Sequence, residues 1–262
     1  MNETADSDSC EVLFVGGVDS SGGAGLDADR DAAGAFDCVH HEVTSAVTDQ
    51  DLFEVRLVDE RMMWAREAED LLDGGRLAVM KFGLLPGTAS IVEAARLVAR
   101  GRHGARLVPA VVDPVIRSSS GHRFWSDREL VQARDSLLVA GPIVTPNLDE
   151  LAELAWADRE QVEASADARV AAADRLLRFG ASGVVATGGH AVGAETVQDL
   201  VLEPGREPLW LERSRVPGDG IRGSGCRFAA ALACGLAQGA GLGDAARAAG
   251  DLVAGRIRES LS

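Results

Sequence analysis

The 262-residue chain contains no tyrosine, and aromatic residues make up only 4% of it. Lysine occurs once, at Lys81, so nearly all of the positive charge is carried by arginine. No uninterrupted apolar run approaches the roughly 20 residues of a membrane-spanning helix. The start, MNETADSDSC, lacks the basic and apolar stretches of a secretory signal and the arginine enrichment of a transit peptide. A soluble cytoplasmic protein is therefore expected. Acidic residues outnumber basic ones 41 to 26, a formal net charge of −15. Such a surface repels phosphate backbones and anionic lipid, which argues against nucleic-acid and membrane partners. The composition fits both GC-rich coding and adaptation to high salt. Four cysteines, Cys10, Cys38, Cys226 and Cys234, are scattered with no CxxC pair and no histidine at zinc-finger spacing. Neither a disulfide framework nor a zinc site follows, and buried thiols in a reducing compartment are expected.

What is present is enough to build a large core, since 46% of the residues are hydrophobic. No repeat or low-complexity linker divides the chain. Residues 1–10 read as a solvated tail and 11–262 as one domain. Short apolar runs alternate with helical patterns. Strands are expected at 11–16, 43–47, 77–82, 107–112, 142–145 and 183–187. Helices are expected at 24–34, 59–72, 89–99, 165–179, 229–236 and 242–261. The runs 197–202 and 209–214 are expected to pair as antiparallel strands across the turn EPGREP. This alternation predicts an α/β fold with a mostly parallel sheet covered on both faces. In such sheets ligands bind beyond the carboxyl ends of the strands. Gly16–Gly25, Gly83, Asp113, Asn147, the segment 187–190 and Gly223–Cys226 all fall there.

Three groups carry candidate chemistry. The first is the glycine-rich turn 16–25 (GGVDSSGGAG), running from a strand into a helix. Its glycines permit close backbone approach to a ligand, yet it has neither the Gly-Lys-Ser/Thr of a Walker loop nor GxGxxG in register. The second is Gly223-Ser224-Gly225-Cys226, which opens an alanine-rich helix. Converging amides at a helix start make an anion hole suited to a transferring phosphoryl group. A thiol in the first helical turn is expected to have a lowered pKa and to orient or deprotonate a hydroxyl. The third group is acidic. Asp113 follows a strand, and Glu150 lies in TPNLDE, where Asn147 reads as a helix cap. Carboxylates at neighbouring strand ends can hold Mg²⁺ against phosphates. The adjacent His40 and His41 read as incidental, and Cys10 and Cys38 as non-catalytic.

Together, GGVDSSGGAGLDAD (16–29), DPV (113–115), TPNLDE (145–150) and GSGC (223–226) resemble hydroxymethylpyrimidine/phosphomethylpyrimidine kinase, the thiamine-biosynthesis branch of the ribokinase-like superfamily. The resemblance runs from about residue 11 to 257. It implies a ribokinase-like three-layer sandwich, usually a homodimer. It also implies phosphoryl transfer from ATP with Mg²⁺ to the hydroxymethyl group of 4-amino-5-hydroxymethyl-2-methylpyrimidine, and then to the monophosphate. By that resemblance Asp29 and Gln50 bind the aminopyrimidine, and Gly17, Leu84 and Val115 wall its pocket. Gly223, Ser224 and Gly225 form the anion hole beside the catalytic Cys226, while Asp113 and Glu150 serve the metal. Asn147, Thr187, Gly189 and Arg227 lie on the ATP side, and His190 is a further candidate there.

The chain departs from the family pattern in places. The family's Val-Lys-Gly-Gly-His is here Ala186-Thr187-Gly188-Gly189-His190, so the lysine expected on the ATP phosphates is Thr187. Loss of one such cation costs about 2–4 kcal/mol of transition-state stabilisation. Arg222 replaces a frequent His, Ser224 a frequent Thr, and Arg227 a frequent Ser or Thr; Asp51 stands where Asn follows the glutamine. One of the two arginines flanking the anion hole is a candidate to restore the charge. Two alternatives stand beside the leading reading. One is a pyridoxal or pyridoxine kinase of the same branch; the other is a degenerate homologue that binds the pyrimidine without catalysis.

Overall fold

The computed structural model describes residues 10–20, 22–50, 55–61, 63–118, 120–189, 195–218 and 220–261. Residues 1–9 of the expected tail, Asp51 and His190 lie outside them. The nine described strands are β1 (Glu11–Asp19), β2 (Val39–Gln50), β3 (Val55–Glu60), β4 (Leu77–Phe82), β5 (Ala110–Val112), β6 (Ile143–Val144), β7 (Gly183–Ala186), β8 (Thr196–Leu202) and β9 (Leu209–Ser214). They form one sheet in the order β3-β2-β1-β4-β5-β6-β7-β8-β9. The run from β2 through β7 is parallel, and β3, β8 and β9 add antiparallel edges. The strand order reverses at β1, with β2 on one side and β4 on the other. A crevice therefore opens beyond the carboxyl ends of these strands.

Helices cover both faces. On one lie α1 (Leu26–Ala35), α8 (Ser224–Ala237) and α9 (Leu242–Ser260); on the other lie α2 (Trp64–Asp73), α3 (Gly87–His103), α4 (Asp127–Gln132), α5 (Leu148–Ala155), α6 (Arg159–Ala164) and α7 (Ala166–Phe179). A π-helical turn, Ala133–Leu138, extends α4. Successive side chains of a strand point to opposite faces. Accordingly Val12 and Phe14 enter the core beneath α1, α8 and α9, while Leu13 and Val15 enter the opposite one. The near-continuous apolar strands are thus buried twice over, as a three-layer sandwich requires.

Several boundaries differ from the sequence reading for identifiable reasons. β5 starts at Ala110 rather than Leu107, because Pro109 has no N–H for the ladder. β6 is confined between Pro142 and Pro146. Residues 59–60 belong to a strand instead of a helix; β3 pairs antiparallel with the end of β2, which is itself far longer than the apolar 43–47. The helix starting at Asp127 carries a Ser126–Glu129 capping box, a signal the hydrophobic periodicity did not flag. The antiparallel pairing of 197–202 with 209–214 is present as β8–β9. Three of the four cysteines converge in space: the thiols of Cys10 and Cys38 both reach the Cys234 carbonyl at 3.8 Å, at the end of the sheet opposite the crevice. Burial pushes the Cys10 thiol up to about 12, which keeps it protonated and unreactive. His40 faces Glu42 at 3.3 Å and His41 faces Glu11 at 3.0 Å. Among the described residues, no helix is long and apolar enough to cross a membrane.

Candidate active site

The crevice is built from turns that follow β1, β4, β5, β6 and β7, together with the start of α8. The β1–β2 ladder shifts register at Gly16/Gly17, where the strand bulges toward its end. The glycine-rich turn then folds back on β1. Gly25 sits at φ +60°, and a Cβ there would stand 2.1 Å from the Gly17 carbonyl oxygen. Gly17 in turn lies against Leu84, since a Cβ on it would meet the Leu84 side chain at 2.9 Å. The two expected wall residues are therefore neighbours. The Leu84 carbonyl is held by the Ser45 hydroxyl at 2.6 Å.

The second glycine turn docks on the first. Gly223 is left-handed at φ +73°, and a Cβ there would lie 2.3 Å from the Gly23 carbonyl oxygen. Gly223→Ala is therefore expected to destabilise the fold by more than about 1 kcal/mol, from the backbone strain alone, and to displace the turn that opens α8. Chemical denaturation read beside turnover checks both effects. Arg227 reinforces the contact. Its Nε donates to Asp31 at 2.8 Å, and its Nη1 donates to the carbonyls of Gly23 at 3.0 Å and Arg222 at 2.7 Å. Arg256 shares Asp31 at 2.8 Å. Arg227 thus ties α8, α1 and the two turns together.

A line of ionisable groups crosses the floor. Lys81 on β4 and Asp29 on α1 are buried, with the ammonium donating to both carboxylate oxygens at 2.8 and 2.9 Å. Gly83 makes room for the lysine, because a Cβ there would meet Nζ at 2.9 Å. Burial raises the Asp29 carboxyl to about 6 despite the lysine beside it. Burial opposes the Lys81 charge, but Asp29, Cys226 and Asp113 outweigh it and hold the ammonium above its ordinary value. Asp113 follows β5 and is raised by burial, while the lysine charge and a hydrogen bond with Cys226 draw it back.

Cys226 closes the line. Burial, then the charge of Asp113, push its thiol up to about 12, against the pull of Lys81 and of a hydrogen bond from the Gly25 amide. The lowered pKa expected from its place at a helix start is overturned: desolvation and two carboxylates outweigh the helix dipole. Alkylation by iodoacetamide at pH 7–8 is accordingly expected to be slow at Cys226. Rapid modification at pH 7 would contradict this electrostatic picture.

Beyond β6, Asn147 and Glu150 form a capping box at the start of α5. The Asn147 side chain accepts from the Glu150 amide at 3.0 Å, and Glu150 accepts from the Asn147 amide at 2.9 Å. Glu150 is buried, and burial followed by the charge of Asp113 raises it well above the carboxylate range. Among the described residues no basic side chain pairs with it. Two buried carboxylates, the charge of Asp113 raising the proton affinity of Glu150, offer hard oxygen donors that fit a divalent cation. Asn147 bridges to Thr187, whose amide donates to the Pro146 carbonyl at 2.9 Å. The Gly188 amide donates to the fully buried Asp199 at 2.9 Å, and Arg213 pairs with the other oxygen of that carboxylate. Arg215 donates to the exposed Gly189 carbonyl at 2.7 Å. Asp199 and Arg213 support this turn from β8 and β9, positions no spacing rule connects with it.

The structure therefore brings Asp29, Asp113, Cys226 and the Gly25 amide together, sets Gly17 beside Leu84, and sets Asn147 beside Glu150 and Thr187. Val115 is half-buried just past Asp113, and its amide donates to the Asp113 carbonyl at 2.9 Å. Ser224 is half-buried and Gly225 exposed in the turn that opens α8. Gln50 ends β2, and its side chain lies outside the described residues.

This sheet order, with two interlocked glycine turns and buried carboxylates at its carboxyl edge, defines an α/β kinase of small molecules. A family profile described as phosphomethylpyrimidine kinase matches residues 19–262. A hydroxymethylpyrimidine/phosphomethylpyrimidine kinase of Streptomyces coelicolor is 36% identical, covering 94% of this chain and 88% of the relative. A pyridoxine kinase of Bacillus subtilis is 29% identical, covering 96% and 91%. Among solved structures, an ADP complex of Bacillus subtilis pyridoxal kinase superposes with a TM-score of 0.81 at 26% identity, over 92% of this chain and 89% of that one. The phosphomethylpyrimidine kinase of Clostridium difficile shares the fold, with a TM-score of 0.74 at 23% identity, over 96% and 99%. The chain belongs to the phosphomethylpyrimidine kinase family.

Proposed function

We propose that this kinase phosphorylates the hydroxymethyl group of 4-amino-5-hydroxymethyl-2-methylpyrimidine, and then the resulting monophosphate, with ATP as donor. The observation that carries this reading is the buried Asp29–Lys81 pair beside Gly16, with Cys226 and Asp113 near enough to act on its charges. Lys81 keeps Asp29 ionised at neutral pH, against a burial that alone would neutralise it. An ionised, oriented carboxylate recognises the donor edge of an aminopyrimidine, between walls provided by Gly17, Leu84 and Val115.

In the reaction the substrate oxygen bonds to the γ-phosphorus. The bond from that phosphorus to the β,γ-bridging oxygen breaks, and ADP leaves with the electron pair. Cys226 holds the attacking hydroxyl. The hydroxyl proton passes to Sγ while the thiol's own proton passes to Asp113 and on to solvent. The Gly223–Cys226 amides at the start of α8 face the equatorial oxygens, where charge spreads in a loose transition state. Asp113 and Glu150 would hold Mg²⁺, which when bound neutralises phosphate charge. Asn147, Thr187 and Gly189 border the ATP phosphates, with Arg227 keeping the anion-hole turn in place.

A second reading is favoured by one observation: pyridoxal kinases of Bacillus subtilis and Staphylococcus aureus superpose on the chain with TM-scores of 0.81. Both substrate types are small heterocycles bearing a hydroxymethyl group. A competition assay with the pyrimidine and pyridoxine at equal concentration decides between them. The proposal expects a kcat/KM ratio above about tenfold for the pyrimidine, and a preference for pyridoxine would replace it. Thr187→Lys is expected to tighten ATP binding, by up to the equivalent of one phosphate contact. Isothermal titration with a non-hydrolysable ATP analogue measures the gain.

A further inference from the structure

Phosphoryl transfer needs a cation near the moving group, and the position where the family pattern places one is Thr187. Lys81 does not substitute for it, because its ammonium is buried on Asp29. Arg227 is engaged by Asp31 and by two carbonyls, as described above. Arg222 differs from both. It immediately precedes Gly223, at the lip of the anion hole. Its guanidinium crosses to the glycine-rich turn, where Nη2 meets the Asp19 carboxylate at 2.9 Å. The side chain is only 18% exposed. Its Nε is buried and has no hydrogen-bond partner among the described residues.

A buried guanidinium N–H without an acceptor is an unfavourable arrangement that native structures rarely keep without a purpose. An acceptor delivered by a ligand resolves it. The surroundings specify which kind: the adjacent backbone amides and the α8 dipole also favour an anion, and an Arg fork matches phosphoryl oxygens. We propose that Arg222 is the cation that meets the transferred γ-phosphoryl group, taking over the charge absent at Thr187. Asp19 holds the arginine across the crevice, so that the group is oriented before the nucleotide arrives. This assignment rests on the kinase reading of the site. It adds a residue that the family pattern, with its frequent histidine at this position, does not supply.

The test compares AMP-PCP with ADP, which differ by the γ-phosphoryl group, by isothermal titration of the full-length protein and of Arg222→Ala and Arg222→Lys, with magnesium present. The proposal expects Arg222→Ala to weaken AMP-PCP by tenfold or more while ADP changes less than threefold. Arg222→Lys is expected to keep part of the discrimination. Turnover of Arg222→Ala is expected to fall 10²- to 10³-fold, and adding Thr187→Lys in the same chain is expected to restore at least tenfold of it. A structural tether would weaken both nucleotides together and would not respond to a lysine at 187; either result overturns the proposal. Thermal unfolding of each variant establishes that it is folded. Should Arg222→Ala fail to fold, the Arg222→Lys discrimination and the Thr187→Lys rescue of its turnover carry the test. The binding arm reads Arg222 even if the wild-type protein transfers nothing to the pyrimidine, so failure of the substrate assignment is seen separately.

Discussion

Replacing Lys81 by methionine is expected to cost about 3–5 kcal/mol of folding stability at neutral pH, the usual consequence of leaving one partner of a buried ion pair alone. The pair lies in the floor of the site with both residues buried, so solvent gives little screening. The dependence on pH follows from the two proton affinities. The folded-state affinity of Lys81 is raised above its ordinary value of 10.5, so its contribution is fully present below about 10.5 and is lost as pH rises beyond it. Asp29 is raised from 3.8 to about 6, so its part works in the opposite sense and weakens folding as pH climbs through that interval. Without the lysine, Asp29 rises further. Lys81→Met is therefore expected to be more stable at pH 5 than at pH 8, and the deficit relative to the parent is expected to shrink above pH 10.5. Adding Asp29→Asn removes the stranded charge and is expected to recover part of the loss. Denaturant unfolding at three pH values measures all of this. A Lys81→Met protein as stable as the parent at pH 8 would show that the pair does not hold the floor.

The second large effect is on rate. Cys226→Ala is expected to lower kcat by roughly 10²–10⁴-fold, the range for removal of a group that handles a proton. KM for the pyrimidine is expected to move far less, because Asp29 and the Gly17–Leu84 wall remain. With its thiol pushed up to about 12, Cys226 cannot act as a preformed thiolate base at pH 7. In the proposed mechanism it works through its hydrogen bond to Asp113, so the kcat profile should not show a thiol titration near pH 7–9. Normal turnover in Cys226→Ala would remove the residue from the mechanism.

Much of this site was legible in the sequence because the elements that build it carry local signals. The glycine turns at 16–25 and 223–226 announce positive φ and close approach, and both are found at strand or helix boundaries, one docked on the other. The Asn147 cap was readable from TPNLDE and is present with its full capping box. Alternation of apolar runs with helical periods was enough for the three layers. What stayed hidden depends on residues far apart in the chain. The Asp29–Lys81 pair spans 52 positions, and the support of Gly188 by Asp199 and Arg213 is set by antiparallel register in β8 and β9. The Cys226 pKa failed as a local inference because the dipole of α8 is local, whereas Asp113 and Asp29 arrive from β5 and α1. The β2–β3 hairpin stays hidden because its paired residues include Thr48, Asp49 and Gln50 at the end of β2 and Asp59 and Glu60 in β3, polar residues that interrupt any apolar run.

Phosphoryl transfer to the hydroxymethylpyrimidine is the central claim, and one assay meets it directly. The protein is incubated with MgATP and 4-amino-5-hydroxymethyl-2-methylpyrimidine at low and at molar salt, and the products are separated by mass. The monophosphate is expected first and the diphosphate after it, with ADP released in equal amount at each step. Tight binding of the pyrimidine in a parallel titration, with no phosphorylated product at either salt, would contradict it and leave a binding protein in place of an enzyme.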